Sequence, residues 1–232
     1  MCLILRKTMK KTLKAEFEAK YTRRGVFISF EGIEGCGKST QAKMLSENLR
    51  RRGLRVVHTA EPGGTAMGKA LRKVLLTPGG RVGKVAELFL FEADRAQHVS
   101  EVILPALVAG SIVICDRYSD STRAYQGVGR GLGVELVDNL DQVATGECYP
   151  ELTILLDMPP ARGVSRARKR GKMTRIDRES LEFHTLIRKS FLELAAGSGG
   201  RFRVVSADTS IEKVAASVER IVLATLSARG IL

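Results

Sequence analysis

Short apolar runs rich in β-branched residues alternate along the chain with longer stretches whose apolar positions recur every three or four residues. The runs are VFISF at 26–30, LRVVH at 54–58, IVICD at 112–116, LTILLD at 152–157 and FRVVS at 202–206. Their length and composition predict buried strands. Amphipathic helices are predicted at 40–52, 85–97, 136–145 and 211–226, the last with Val214, Val218, Ile221 and Val222 on one face. Strands apolar on both sides need cover on both sides, so this alternation predicts an α/β fold: a five-stranded parallel sheet with helices on both faces. Two strands end in a carboxylate, Asp116 and Asp157, at the sheet edge where such folds bind ligands. For Asp157, capping a helix is an equal reading.

Composition narrows the reading. The chain has 232 residues, 44% hydrophobic, enough for one sizeable core. The net charge of +13 points first to nucleic acid, but its location points elsewhere. Residues 1–25 carry eight Lys and Arg against two Glu, and residues 162–178 carry eight against one Asp. These two segments account for the whole excess, and there is almost no aromatic interleaving in either for base stacking. The first reads as a flexible basic arm, with a nucleic-acid or membrane-surface role as the alternative and Met9 as an alternative start. Residues 26–232 read as a single domain.

No apolar run approaches the ~20 residues of a membrane span, and the candidate at 102–109 contains Pro105. The apolar patch from Met1 to Leu5 is too short for a secretory signal, so a cytoplasmic location is expected. Cys2, Cys36, Cys115 and Cys148 lack C-x-x-C spacing and read as free thiols.

The sharpest chemical signal is GIEGCGKST at 32–40, directly behind the first strand and ahead of a helix. Gly32, Gly37, Lys38 and Ser39 satisfy G-x-x-x-x-G-K-[ST], in which backbone N–H groups cradle a polyphosphate, the lysine reaches the terminal phosphates and the hydroxyl faces Mg²⁺. The ATP-binding set is therefore Gly32, Ile33, Glu34, Gly35, Cys36, Gly37, Lys38, Ser39 and Thr40. Asp116 closes the strand beside this loop and joins Ser39 as a metal ligand. Arg117 follows at once, where its planar fork suits either a second phosphate or a structural salt bridge. Glu34 is the anomaly, a carboxylate inside a loop built for anions.

EPGGT at 61–65, FEADR at 91–95, DRY at 116–118, DSTRAYQG at 120–127 and RARKRGKMTRID at 166–177 resemble, in order and spacing, the motif series of bacterial thymidylate kinases. The resemblance covers roughly 25–226 and implies a P-loop NTPase fold of the nucleoside monophosphate kinase type with a short basic lid at 162–178. It implies transfer of the γ-phosphoryl of ATP to dTMP, with Mg²⁺, in a homodimer with no nucleic-acid partner. Phe91 would then stack on thymine, where periodicity alone reads a core aromatic, and Arg95 would donate to a base carbonyl, where periodicity alone leaves an exposed helix charge. Pro62, Ser121, Thr122, Tyr125 and Gln126 would line the acceptor site, with Arg117 on the 5′-phosphate and Glu34 toward the sugar or toward the metal. The loop contains no arginine for the transferred phosphate, so the lid must supply that cation from Arg166, Arg168, Arg170 or Arg175, with Arg168 and Arg170 leading and Arg166 and Arg175 joining the ATP-binding set. Lys38, Arg117, Glu34, Arg168 and Arg170 form the expected catalytic set. Two positions depart from the family pattern: Ala60, where arginine is usual, and Thr174, where aspartate is usual. The alternatives are a kinase for another nucleoside monophosphate and a nucleic-acid-handling ATPase.

Overall fold

The computed structural model describes residues 24–171 and 173–232, and the arm expected at 1–25 lies outside them except for Arg24 and Gly25. Among these residues, β1 (Val26–Glu31), β2 (Val56–Ala60), β3 (Ile112–Asp116), β4 (Leu152–Asp157) and β5 (Phe202–Ser206) form one sheet in the order β2-β3-β1-β4-β5. Every pairing is parallel, with Val26 beside Ile112 and Phe30 beside Asp116. Alternate side chains leave opposite faces of a strand. Val26, Ile28 and Phe30 therefore join one apolar cluster, while Phe27 joins a second with Val113, Leu107 and Tyr118. Full burial contributes about 1.5–3 kcal/mol for each such large side chain, which is why the central strand tolerates no polar alternation.

The helices are α1 (Lys38–Arg51), α2 (Ala66–Leu76), α3 (Lys84–His98), α4 (Leu104–Val108), α5 (Ser119–Thr122), α6 (Val134–Thr145), α7 (Pro160–Lys169), α8 (Leu181–Ala196) and α9 (Ile211–Ala228). Leu45 and Leu49 of α1, Ile187 and Phe191 of α8, and Val214 and Val218 of α9 cover one face of the sheet. The other is covered by Val99 and Ile103, in a π-helical segment that joins α3 to α4, together with Leu104 and Leu107. A second π-helical segment, Arg123–Gly129, extends α5.

Three strands occupy the expected limits, β1 runs one residue further to Glu31, and β2 is shifted for a local reason. The amide of Leu54 donates to Leu49 O and closes α1, so β2 begins at Val56 and runs on until Ala60 pairs with Asp116. α1 begins at Lys38, two residues early, because Gly37 at φ 99° turns the phosphate loop directly into the helix. Pro105 does not interrupt the helical path. It lies in the first turn of α4, after the π-helical segment, where its missing N–H is tolerated. The basic segment holds most of α7 and a 3₁₀ turn at Ile176–Arg178.

Candidate active site

The carboxyl edge of β1 and β3 opens on a cavity of about 610 Å³. The phosphate loop forms one wall. Lys38 is buried and donates to Gly32 O and Ile33 O, both at 2.9 Å, so its ammonium sits inside the loop it serves. Gly35, at φ 74°, lies so close to α7 that a Cβ would stand 2.0 Å from Gly163 O. Only glycine allows that approach, and it packs α7 against the loop. Ser39 and Thr40 are exposed at the start of α1, and Cys36 is buried behind the loop.

Glu34 lines the cavity and is buried. Its Oε1 accepts from Arg117 Nη2 and from Tyr125 Oη, each at 2.7 Å. Its Oε2 lies 3.1 Å from Nδ1 of His184. Burial alone would raise this carboxyl, but Arg117, His184, Lys38 and Tyr125 together hold it well below the usual carboxylate range. The anomalous carboxylate is thus a permanent anion in a cationic nest.

Arg117 adopts φ 71°. This backbone conformation is costly for a non-glycine residue and is found where surroundings enforce it. The enforcement is visible: its amide donates to Phe30 O, its Nη1 donates to Ser121 Oγ at 3.1 Å, and its guanidinium lies 5.1 Å from the centre of the Tyr125 ring. Ser121 in turn donates to Oε2 of Glu31, at 2.6 Å. Glu31 ends β1 fully buried, and burial followed by the charge of Asp120 raises its pKa to about 8.

Phe91, half-buried on α3, packs against the core and also lines the cavity, so both of its sequence readings meet in one side chain. Arg95 is not an exposed helix charge; it is 1% exposed. Its Nε donates to Glu61, its Nη1 to Glu92 and Asp141, and its Nη2 to Thr122, leaving one Nη2 hydrogen without a partner among the described residues. Both Arg95 and Thr122 line the cavity. Gln126 lines it too and donates to Glu87, while Pro62 O accepts from Arg72 Nη1.

The four arginines of the basic segment separate. Arg170 lines the cavity, loosely paired to Asp177 at 3.3 Å. Arg175 is tied into the body, with Nε donating to Leu75 O and Nη2 paired to the buried Glu87. Arg166 is exposed and makes a long contact to Ala207 O, and Arg168 is exposed. Asp157 takes a bidentate pair from Arg188, at 2.7 and 2.9 Å, which removes it from the cavity. Sequence reasoning passed over Arg72, a cavity-lining cation from α2. Burial first, and then Arg117 and Arg170 among its neighbours, lower its pKa.

Ser39 Oγ donates to Oδ2 of Asp116, while Asp116 Oδ1 is buried without a partner among the described residues. Two hard oxygen donors, one of them unsatisfied, fit Mg²⁺. A second group, Glu61, His98 and Cys115, lies buried with its ligand atoms within 4.8 Å of one another. These atoms are already engaged: His98 contacts Glu61 through Nδ1 and Thr59 through Nε2, and Cys115 Sγ donates to Arg117 O. Burial, then Glu61 and Asp116, push the Cys115 thiol well up, so the group is a hydrogen-bonded support for Arg95.

The profile of the thymidylate kinase family matches residues 30–218. A thymidylate kinase of Geobacter sulfurreducens is 47% identical over 206 residues, covering 86% of this chain and 97% of that protein. One from Desulfovibrio desulfuricans is 47% identical over 213 residues, covering 88% and 98%. The crystal structure of thymidylate kinase from Ehrlichia chaffeensis superposes with a TM-score of 0.71 at 32% identity, covering 86% of this chain and 98% of that one.

Proposed function

The chain belongs to the thymidylate kinase family and is an enzyme that phosphorylates dTMP; we propose that it does so in the cavity between the phosphate loop and α3, moving the γ-phosphoryl of ATP to the acceptor's phosphate and giving ADP and dTDP. The observation that carries this assignment of roles is the junction of Lys38, Glu34 and Arg117, where a polyphosphate loop meets a second, acceptor-facing set of groups.

The acceptor phosphate is already ionised, so no nucleophile needs activating and no covalent intermediate is required. Positioning and charge neutralisation carry the reaction. Lys38 and the loop amides hold the donor phosphates. Arg117, fixed by Glu34 and Ser121, holds the acceptor phosphate, with Arg72 beside it as a second cation where Ala60 supplies none. Arg170 provides the lid charge toward the transferred group. Phe91 stacks on the base, the remaining Nη2 hydrogen of Arg95 meets a base carbonyl, and Glu34 with Tyr125 faces the sugar. Ser39 and Asp116 would hold Mg²⁺, which when bound neutralises charge on the phosphate oxygens. The exposed Val85 and Phe89 of α3 support a homodimer through that helix, and the buried thiols Cys36 and Cys115, neither in a disulfide, support a reducing, cytoplasmic setting.

Product analysis with ATP and each monophosphate in turn tests the assignment. dTMP should be the preferred acceptor, with the thymine methyl contributing ~1–3 kcal/mol of discrimination against dUMP. Equal turnover of dTMP and AMP, or ATP hydrolysis driven by DNA instead of dTMP, would overturn it.

A further inference from the structure

His184 belongs to none of the sequence motifs, yet it is 0% exposed and faces Glu34. Its Nδ1 stands 3.1 Å from Glu34 Oε2, off the line of a good hydrogen bond, and neither atom has a hydrogen-bonding partner among the described residues. Nε2 of the ring is also buried without a partner among the described residues. A buried carboxylate oxygen left unpaired is costly, and so is a buried donor, so the two together are each other's remedy. The ring is held in place by its element. Ser180 caps α8 by accepting from the Phe183 amide, and the His184 amide donates to Ser180 O. Phe183 stands edge-on to the imidazole, and Phe183 and Phe191 flank Tyr125, the residue that bonds the other oxygen of Glu34. A proton on Nδ1 is what satisfies Glu34 Oε2.

We propose that His184 is a positioning residue for the reaction: as an Nδ1–H donor it fixes the carboxylate of Glu34 on the Oε2 side, as Arg117 and Tyr125 fix it on the Oε1 side. The inference rests on the reading of Glu34 as an acceptor-facing group. Its consequence is specific to the acceptor, because Lys38 and the loop amides, which serve ATP, do not touch His184.

Steady-state kinetics with dTMP and ATP varied separately provide the test. His184→Phe keeps an aromatic ring and removes the donor, and kcat/KM for dTMP should fall about tenfold or more, as loss of a hydrogen bond to a charged group implies. KM for ATP should stay within about twofold. His184→Asn places an amide N–H where Nδ1 was and should recover most of the loss. In a Glu34→Gln background, His184→Phe should cost little further, because the groups act through one another. Equal losses in the Phe and Asn variants, additivity with Glu34→Gln, or no effect of His184→Phe would each overturn the proposal. Glu34→Gln by itself separates the two claims: if it leaves the dTMP parameters unchanged, the reading of Glu34 fails, whereas if it impairs dTMP and His184→Phe does not, the His184 inference alone fails. Should His184→Phe not fold, NMR of isotope-labelled histidine in the wild-type and Glu34→Gln chains decides. An Nδ1–H signal that moves on changing Glu34 supports the contact, and one indifferent to it overturns the proposal.

Discussion

Glu34 shows how a residue that breaks a motif's electrostatic logic is made stable by neighbours that the motif does not contain. Arg117, Tyr125 and His184 come from three other parts of the chain, and each approaches one of its oxygens. The same principle governs Phe91, whose ring serves core and cavity at once. Phe91→Ala is expected to raise KM for dTMP about tenfold, since stacking of a base on an aromatic contributes ~1–3 kcal/mol, with KM for ATP nearly unchanged. Initial-rate kinetics check this, and an unchanged dTMP KM would leave Phe91 a core residue only. Residues read in local motifs, among them Lys38, Ser39, Asp116 and Arg117, were legible because short spacing fixes their geometry. His184 and Arg72 were not, because no pattern connects them with positions far away along the chain. Glu31 left a faint signal, a carboxylate directly after five residues of strand, where a charge demands partners.

Among the elements, the strands were the most legible, since continuous apolar runs have few other uses. α2, α7 and α8 were not predicted. α7 reads PARGVSRARK and buries only Gly163, Val164 and Ala167, too little apolar surface to signal a helix. Its charge was visible, and the structure gives that charge different tasks. Arg175 clasps the end of the lid to α2 and α3 through Leu75 O and Glu87, while Arg170 enters the cavity. Arg170→Ala should therefore lower kcat on the order of 10²-fold, as loss of a transition-state cation does, with nucleotide KM values changed only a few-fold. Arg166→Ala and Arg168→Ala should stay within a few-fold on both. Arg175→Ala should instead lower the melting temperature, because Glu87 is 1% exposed and loses a cationic partner. Single-turnover rates and calorimetry on the four variants distinguish these outcomes. A kcat loss confined to Arg168→Ala would show that a lid movement exchanges the two arginines.

At the scale of the molecule, the buried carboxylates make stability depend on pH in an unusual direction. Burial, as the first cause in each, raises Glu31 to about 8, Glu92 to about 7, and Asp94 and Asp141 to about 6. A carboxyl whose pKa is higher folded than unfolded binds its proton more tightly in the native state. Its stabilisation is complete below the unfolded value, near 4, and is lost as pH rises through the folded one. Glu34 and Glu87, both lowered, act oppositely: their contribution is present above about 4.5 and lost as pH falls below it. His58, lowered from 6.5 by burial, adds stability as pH rises toward that value. Above about pH 6.5 the shifted groups still titrating are thus chiefly Glu31 and Glu92, and the protein should lose stability as pH climbs from about 6.5 to about 8.5. Calorimetry over that interval should show Tm falling by several degrees, each 1 kcal/mol corresponding to about 2–4 °C for a chain of this size. Glu31→Gln supplies the control, since an amide can still accept from the Tyr118 amide, as Oε1 does now, and face Ser121 without titrating. In that variant the upper part of the slope should flatten. A wild-type Tm that rises over the same interval, or an equal slope in the two proteins, would mean that Glu31 stays ionised in the folded chain and that the cation held through Ser121, Arg117, offsets more of its burial than desolvation costs.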